Sequence, residues 1–153
     1  MERPVRSTGE ESVEQRREPA KYGLTIVADY PAFGTGPGSW AAAFPRYRSG
    51  DIGAFFGEAH NDYVPYLAEN GVIGMTLLAV IVLWSLMVAL KARYQRRYPL
   101  MRGLAFASIM GTIAILIHSS VDFNLQILSD AMLFMVMLAF GWLALQLNRR
   151  LAT

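Results

Sequence analysis

Three apolar runs without a charged residue divide this chain: Gly71 to Leu90, Gly103 to Ile117 and Ala131 to Leu147. A helix through the first, at ~1.5 Å of rise per residue, is about 30 Å long and matches the hydrocarbon core of a bilayer. That run predicts a membrane span unaided. The other two are shorter and reach a full span by borrowing His118 to Ser120 and Ile127 to Asp130, which places the spans at about 71–90, 103–120 and 127–147. Everything ahead of Gly71 is broken by polar residues, prolines and glycines. The pattern predicts an all-α membrane protein, with a polar tail over 1–21, a loop region of short helices over 22–70 and a three-helix transmembrane region over 71–153.

Within the polar part, Met1 to Lys21 carries five basic and five acidic residues with few apolar ones, a composition that cannot bury enough surface to fold alone. Tyr22 to Tyr30 fits a short helix or a strand, and the neighbouring helix formers Glu18 to Lys21 favour helix. Pro31 ends it, because the residue before a proline avoids helical dihedrals. Gly34, Gly36 and Gly38 then fall at every second position. A phosphate cradle needs the G-x-G-x-x-G spacing between a strand and a helix, so this loop reads as a structural turn into a helix over Ser39 to Phe44, with Ser39 as N-cap. Pro45 to Phe56 is an aromatic-rich loop suited to a membrane interface. The next helix starts with Asn61 or Asp62 as cap, accepts Pro65 in its first turn and runs into the first span, with a kink expected at Asn70-Gly71. Gly71 and Gly74, three apart, leave room for a neighbouring helix, Trp84 is expected to face protein, and Ser129-Asp130 is expected to cap the third span.

Composition agrees with the pattern: 54% of the residues are hydrophobic and 17% charged, with no cysteine and two histidines. Disulfides, thiolate nucleophiles and Cys-type zinc sites are excluded, and the histidines are too few for a dedicated metal cluster. The net charge of +2 and isoelectric point near 9.1 do not form a basic stripe interleaved with aromatics, so nucleic acid is not a predicted partner. The positives report topology instead. Lys91, Arg93, Arg96, Arg97 and Arg102 lie between the first two spans without an acid, and Arg149 and Arg150 follow the third; the positive-inside rule makes both segments, and the C-terminus, cytoplasmic. The opposite side holds Tyr22 to Asn70, with Arg46 and Arg48 against Asp29, Asp51, Glu58, Asp62 and Glu69, and also Asp122 and Asp130. Both histidines fall on this outer side. Nothing in Met1 to Lys21 resembles a signal peptide, so an external stretch of this length is expected to follow earlier membrane helices in a longer chain.

His60 is the leading candidate for chemistry. It lies within about three helical turns of the first apolar residue, and an imidazole with an ordinary pKa near 6.5 accepts a proton from a sugar hydroxyl at neutral pH. An interfacial histidine that only caps or hydrogen-bonds is the plainer reading. His60-Asn61, nine residues, then Gly71-Val72-Ile73-Gly74 resembles the signature of the O-antigen ligase and O-antigen polymerase superfamily of bacterial membrane glycosyltransferases, with Met75 where that family usually has Gly, Thr or Tyr. Asp29 to Gly38 and His118 to Leu125 are similar to further stretches that recur there.

The resemblance implies a bacterial inner-membrane, multi-pass protein whose loop region is periplasmic. It also implies a transfer without metal or cofactor, from an undecaprenyl-diphosphate-linked glycan to a hydroxyl on lipid A core or on a second lipid-linked repeat unit. His60 would activate that hydroxyl. Arg17, with Arg16 as the alternative, would hold the diphosphate, since a guanidinium fork matches phosphate oxygens; Asn61, Tyr63 and His118 would contact diphosphate or glycan. The plainer reading of Arg16 and Arg17 is solvated charge in a mixed tail. Glu58, Asp62 or Glu69 would orient His60, although helix capping accounts for Asp62 equally well. His118, Ser119 and Asp122 contain triad residue types, but turning a hairpin between two spans explains them better. The rival of another class is a non-catalytic membrane fragment that packs against partner helices; a transporter piece is weaker, because no span carries a buried charge or a broken middle.

Overall fold

A computed structural model describes residues 22–47, 61–122 and 124–147. The tail over 1–21, with Arg16 and Arg17, and the stretch over 48–60, with Glu58 and His60, lie outside the described residues. The chain forms two compact units, Met1–Met75 and Thr76–Thr153. Among the described residues every regular element is helical.

The first unit opens with α1 over residues 22–29, the helical alternative for that stretch, and α1 stops ahead of Pro31 as expected. A loop leads to α2, Trp40–Ala43, which continues as a 3-10 turn over Phe44–Arg46. The long helix α3, Tyr63–Gln95, begins here and runs on into the second unit. Ile26, Trp40, Phe44 and Ala68 form the buried core of the first unit, packed by Tyr22, Val27 and Val64. The spacing explains the arrangement. Tyr22 and Ile26, Trp40 and Phe44, and Val64 and Ala68 are each four apart, so each pair lies on one helix face. Trp40 stacks on Phe44 with centroids 5.0 Å apart, and Tyr22 meets Phe44 edge-on at 6.3 Å. Gly23 lets α1 come close, since a Cβ there would fall 2.5 Å from Val64 Cγ1 and 2.9 Å from Trp40 Cη2.

The second unit holds the rest of α3 with α4, Pro99–His118, and α5, Leu128–Gln146, joined through a 3-10 turn over Asn124–Gln126. All three helices are long and apolar enough to cross a membrane, as the pattern predicts. Pro99 starts α4 at the position where its missing N–H costs nothing. The buried positions are Val82, Ser85, Ala89 and Ala92 on α3, Met101, Ala105, Ser108 and Thr112 on α4, and Phe134, Leu138, Gly141 and Ala144 on α5. Steps of three and four put each set on one face, and most are small. In a bilayer the hydrophobic effect gives helices little reason to associate, so close backbone approach at small residues carries the packing. Gly141 marks the tightest point: a Cβ there would sit 2.8 Å from Ala89 Cβ and 3.1 Å from Ser108 Oγ.

Two sequence expectations are corrected here. Trp84 is 57% exposed, because it lies off the Val82–Ser85–Ala89–Ala92 face; the indole with a partner is Trp142, whose Nε1–H donates to Ser85 Oγ at 3.2 Å. Ser129 and Asp130 fall inside the first turn of α5 behind an Ile127 N-cap that makes no side-chain bond. Asp130 still suits the positive end of the helix dipole.

Replacing Gly141 by Ala should lower the stability of the folded chain in detergent by about 1–3 kcal/mol through overpacking. The same change at Gly103, where a Cβ meets nothing within 4 Å, should be neutral or slightly stabilising. Thermal unfolding of the two variants beside the parent checks both; equal effects would show that close packing at Gly141 does not matter.

Candidate functional site

The site is built where α3 breaks. Asn61 caps the helix: its Oδ1 accepts from Tyr63 N at 2.7 Å and Val64 N at 3.2 Å, as the sequence suggests for Asn61 or Asp62. Ten residues after the cap, Gly71 takes φ 64° and ψ −174°, a conformation essentially reserved for glycine. The turn at Asn70-Gly71 is thus a true interruption of the helix.

A helix that stops and restarts leaves carbonyls without donors on one side of the gap and amides without acceptors on the other. The Pro31 to Gly38 loop supplies both. Thr35 N donates to Ala68 O and Gly36 N to Glu69 O, each at 2.9 Å, while Val72 N donates to Pro31 O at 2.8 Å and Ile73 N to Ala32 O at 3.2 Å. Thr35 Oγ1 adds a bond to Ala68 O at 3.3 Å, and Asn70 Nδ2 donates to Tyr66 O at 3.1 Å. Backbone contact this close is possible because of two glycines. A Cβ on Gly34 would fall 2.3 Å from the Glu69 carbonyl, and one on Gly71 would fall 2.3 Å from Ala32 O. Gly71 therefore admits a loop, where the sequence suggested a neighbouring helix, and the space at Gly74 is taken by Asn70 Cβ from the preceding turn.

The Glu69 side chain closes the loop. Its Oε1 accepts from Trp40 N at 2.8 Å and its Oε2 from Gly38 N at 3.0 Å. Glu69 thus does for α2 what the sequence assigns to Ser39. Ser39 does occupy the N-cap position, but it makes no side-chain cap bond; its hydroxyl donates to Gly36 O at 2.6 Å and bonds Thr35 Oγ1 at 2.5 Å. The structural-turn reading of the glycine loop holds, with positive φ at Gly34, Gly36 and Gly38.

Beside this clamp lies a cavity of about 330 Å³ lined by Tyr30, Thr35, Ser39, Arg46 and Tyr47 among others, at the small end of ligand-pocket volumes. The Tyr47 phenol hydrogen-bonds Asp29, and that bond to a carboxylate raises its pKa above the ordinary tyrosine value. Sequence reading did not single out Arg46 or Tyr47. The signal available was an arginine between aromatics just after the glycine loop, and loop composition alone gives that pattern no chemistry.

Of the predicted site residues, the first unit positions Asn61 and Tyr63 at the start of α3, while His60, Arg16 and Arg17 lie outside the described residues. His118 belongs to the second unit, where it ends α4: its carbonyl accepts from Val121 N and Asp122 N, and its Nδ1 hydrogen-bonds the Asn124 side-chain amide. These contacts serve the hairpin between two spans. Among the described residues no group of three or more His, Asp or Glu side chains is arranged to hold a metal ion.

A family model described as O-antigen ligase matches residues 3–79. The matched segment contains the glycine loop, residues 48–60, the Asn61 cap and the whole break at Gly71, and it stops about midway along the first span. No curated protein and no solved structure matches the chain.

Glu69→Gln should weaken the clamp by about 1–3 kcal/mol, since one charged acceptor is replaced by an amide. Gly71→Ala should cost at least about 2 kcal/mol, because the strain of positive φ is added to a backbone clash. Amide hydrogen exchange should show faster exchange at Gly38 and Trp40 in E69Q, and also at Val72 and Ile73 in G71A, with α4 and α5 unchanged. Protection left intact in either variant would contradict the clamp.

Proposed function

The chain belongs to the O-antigen ligase family, and from this premise we propose that it is the C-terminal part of a glycosyltransferase that moves glycan from an undecaprenyl-diphosphate carrier to an acceptor hydroxyl. Its three apolar helices and its family make it a multi-pass membrane protein. The reaction we assign takes place on the periplasmic side of a bacterial inner membrane, with the C-terminus cytoplasmic. The charge distribution supports that orientation: the five cations between Leu90 and Gly103 have no acid among them, and cytoplasmic loops collect such cations.

The observation that carries the proposal is that the family match spans the clamp. The Pro31 to Gly38 loop is tied by backbone bonds to the start of the first span. Residue 60 directly precedes the Asn61 cap in sequence, and we assign its side chain work at the edge of the bilayer, where a lipid carrier presents its diphosphate. In this reading His60 takes the proton from the acceptor hydroxyl as that oxygen attacks the sugar carbon and the carbon–oxygen bond to the diphosphate breaks. Arg17, or Arg16 in its place, pairs with the departing diphosphate, whose charge rises as the bond breaks. Asn61 and Tyr63 contribute polar contacts to diphosphate or glycan. The Arg46–Tyr47 cavity supplies hydroxyls and a cation of the kind that binds sugar. The acceptor is lipid A core for a ligase or a second lipid-linked repeat unit for a polymerase.

A second reading, a non-catalytic fragment that packs with partner helices, is favoured by one observation. Less than a quarter of the most apolar stretch of each span is buried, which leaves broad helix faces for further helices.

His60→Ala, expressed in the full-length context in cells lacking the parent gene, should reduce glycan transfer by at least about 100-fold, the contribution typical of a general base, while protein abundance stays unchanged. Transfer retained at the parental level would reject the base role and favour the packing reading. Unlinked polymer accumulating in the deletion strain would identify a ligase, and single capped repeat units a polymerase.

A further inference from the structure

We propose that the end of the second unit where α3 gives way to α4 is a binding site for the phosphate headgroup of an anionic phospholipid. Leu90, Arg93 and Tyr94 recur on one face of α3 at steps of three and four, Arg102, Phe106 and Ile109 do the same on α4, and Arg97 follows α3 in the connection to α4. Together with Arg96 they line one cavity of about 770 Å³. Four guanidinium groups thus share a single groove. The positive-inside rule accounts for cations in this loop, but it does not require them to converge.

Two observations point to an anionic occupant. The Arg96 Nε is buried with no hydrogen-bond partner, a costly state for a charged donor that a phosphate oxygen would relieve. No carboxylate competes, because the only acids in the described part of this unit, Asp122 and Asp130, lie at its opposite end. The shape selects a lipid over a free phosphate. From Arg102 on to Ile109 is seven residues, about 10 Å along α4, and over that depth the lining changes from guanidinium through Phe106 to Ile109, while on the α3 side Arg93 and Tyr94 give way to Leu90. A charged mouth above an apolar slot fits a phosphodiester with the upper part of an acyl chain. The site is independent of the transfer chemistry assigned to residue 60.

The test titrates the full chain in zwitterionic detergent with phosphatidylglycerol and with phosphatidylcholine and counts bound lipid by native mass spectrometry. The expected result is tighter binding of phosphatidylglycerol, weakened about 5-fold by R96Q or R102Q and about 25-fold by both, the scale for one and two cations at a lipid surface. Lys91→Gln removes the same charge from a residue that does not line the groove and should leave binding within about 2-fold, well under the effect of a headgroup contact. R96K/R102K keeps the charge without the fork and should still prefer phosphatidylglycerol, which covers the case in which the glutamine pair fails to fold. Equal binding of the two lipids, or a K91Q loss as large as that of R96Q, would overturn the site. So would displacement of phosphatidylglycerol by inorganic phosphate alone, which would identify a free phosphate compound as the occupant.

Discussion

The structure depends on satisfying a broken backbone at the edge of an apolar span. A helix can be interrupted in water at modest cost because solvent takes over the exposed amides and carbonyls, but next to a bilayer that substitute is lost. In this chain the substitute is protein. Pro31 and Ala32 give their carbonyls to Val72 and Ile73, while Thr35 and Gly36 give their amides to Ala68 and Glu69. The exchange is reciprocal, so the loop and the helix ends are each held by the other. Glycine is required on both sides, at Gly34 for space and at Gly71 for space and dihedral together.

This constraint gives the family's glycine spacing a physical meaning. In Gly71-Val72-Ile73-Gly74 the first glycine makes the break and admits the loop, the two residues after it donate to that loop, and the last makes room for the Asn70 Cβ. A family that needs a polar segment fixed at the mouth of a span has reason to specify these positions together with those of the glycine loop, and the matched region contains both. Glu69 extends the same economy: its carbonyl takes Gly36 N and its carboxylate takes Gly38 N and Trp40 N, so one residue fixes the loop, the start of α2 and the end of the first half of α3.

Local features of this fold were legible in the chain, and features that depend on distant pairing were not. The three spans followed from uncharged runs, the end of α1 from Pro31, the cap from Asn61 and the interruption from Asn70-Gly71, each of which is written within a few residues. The role of Glu69 was not legible, because its partners at Gly38 and Trp40 are 31 and 29 positions away. Ser39 has the composition of a cap and the position of one, yet a carboxylate from elsewhere outcompetes its hydroxyl, and the hydroxyl turns to Gly36. The same logic separates Trp84 from Trp142. Both are indoles in apolar helices, and only the geometry of the packed faces gives one of them Ser85. Of the candidate site, the sequence located the segment that the family match covers, while the cavity beside the clamp needed the loop to fold before Arg46 and Tyr47 shared a wall.

The two ends of the second unit differ for a reason that joins topology to packing. Small residues on the buried faces, Ala92, Ala105 and Ala144 above all, draw the helix backbones together at the basic end. At the same end Arg93, Arg96, Arg97 and Arg102 line one groove. At the other end Phe134, Leu138 and Val82 fill the interior, and the polar residues Asn124 and His118 bond to each other across a short hairpin. Close packing of small residues at one end thus lies beside a charged groove, and bulkier packing at the other lies beside a hydrogen-bonded hairpin.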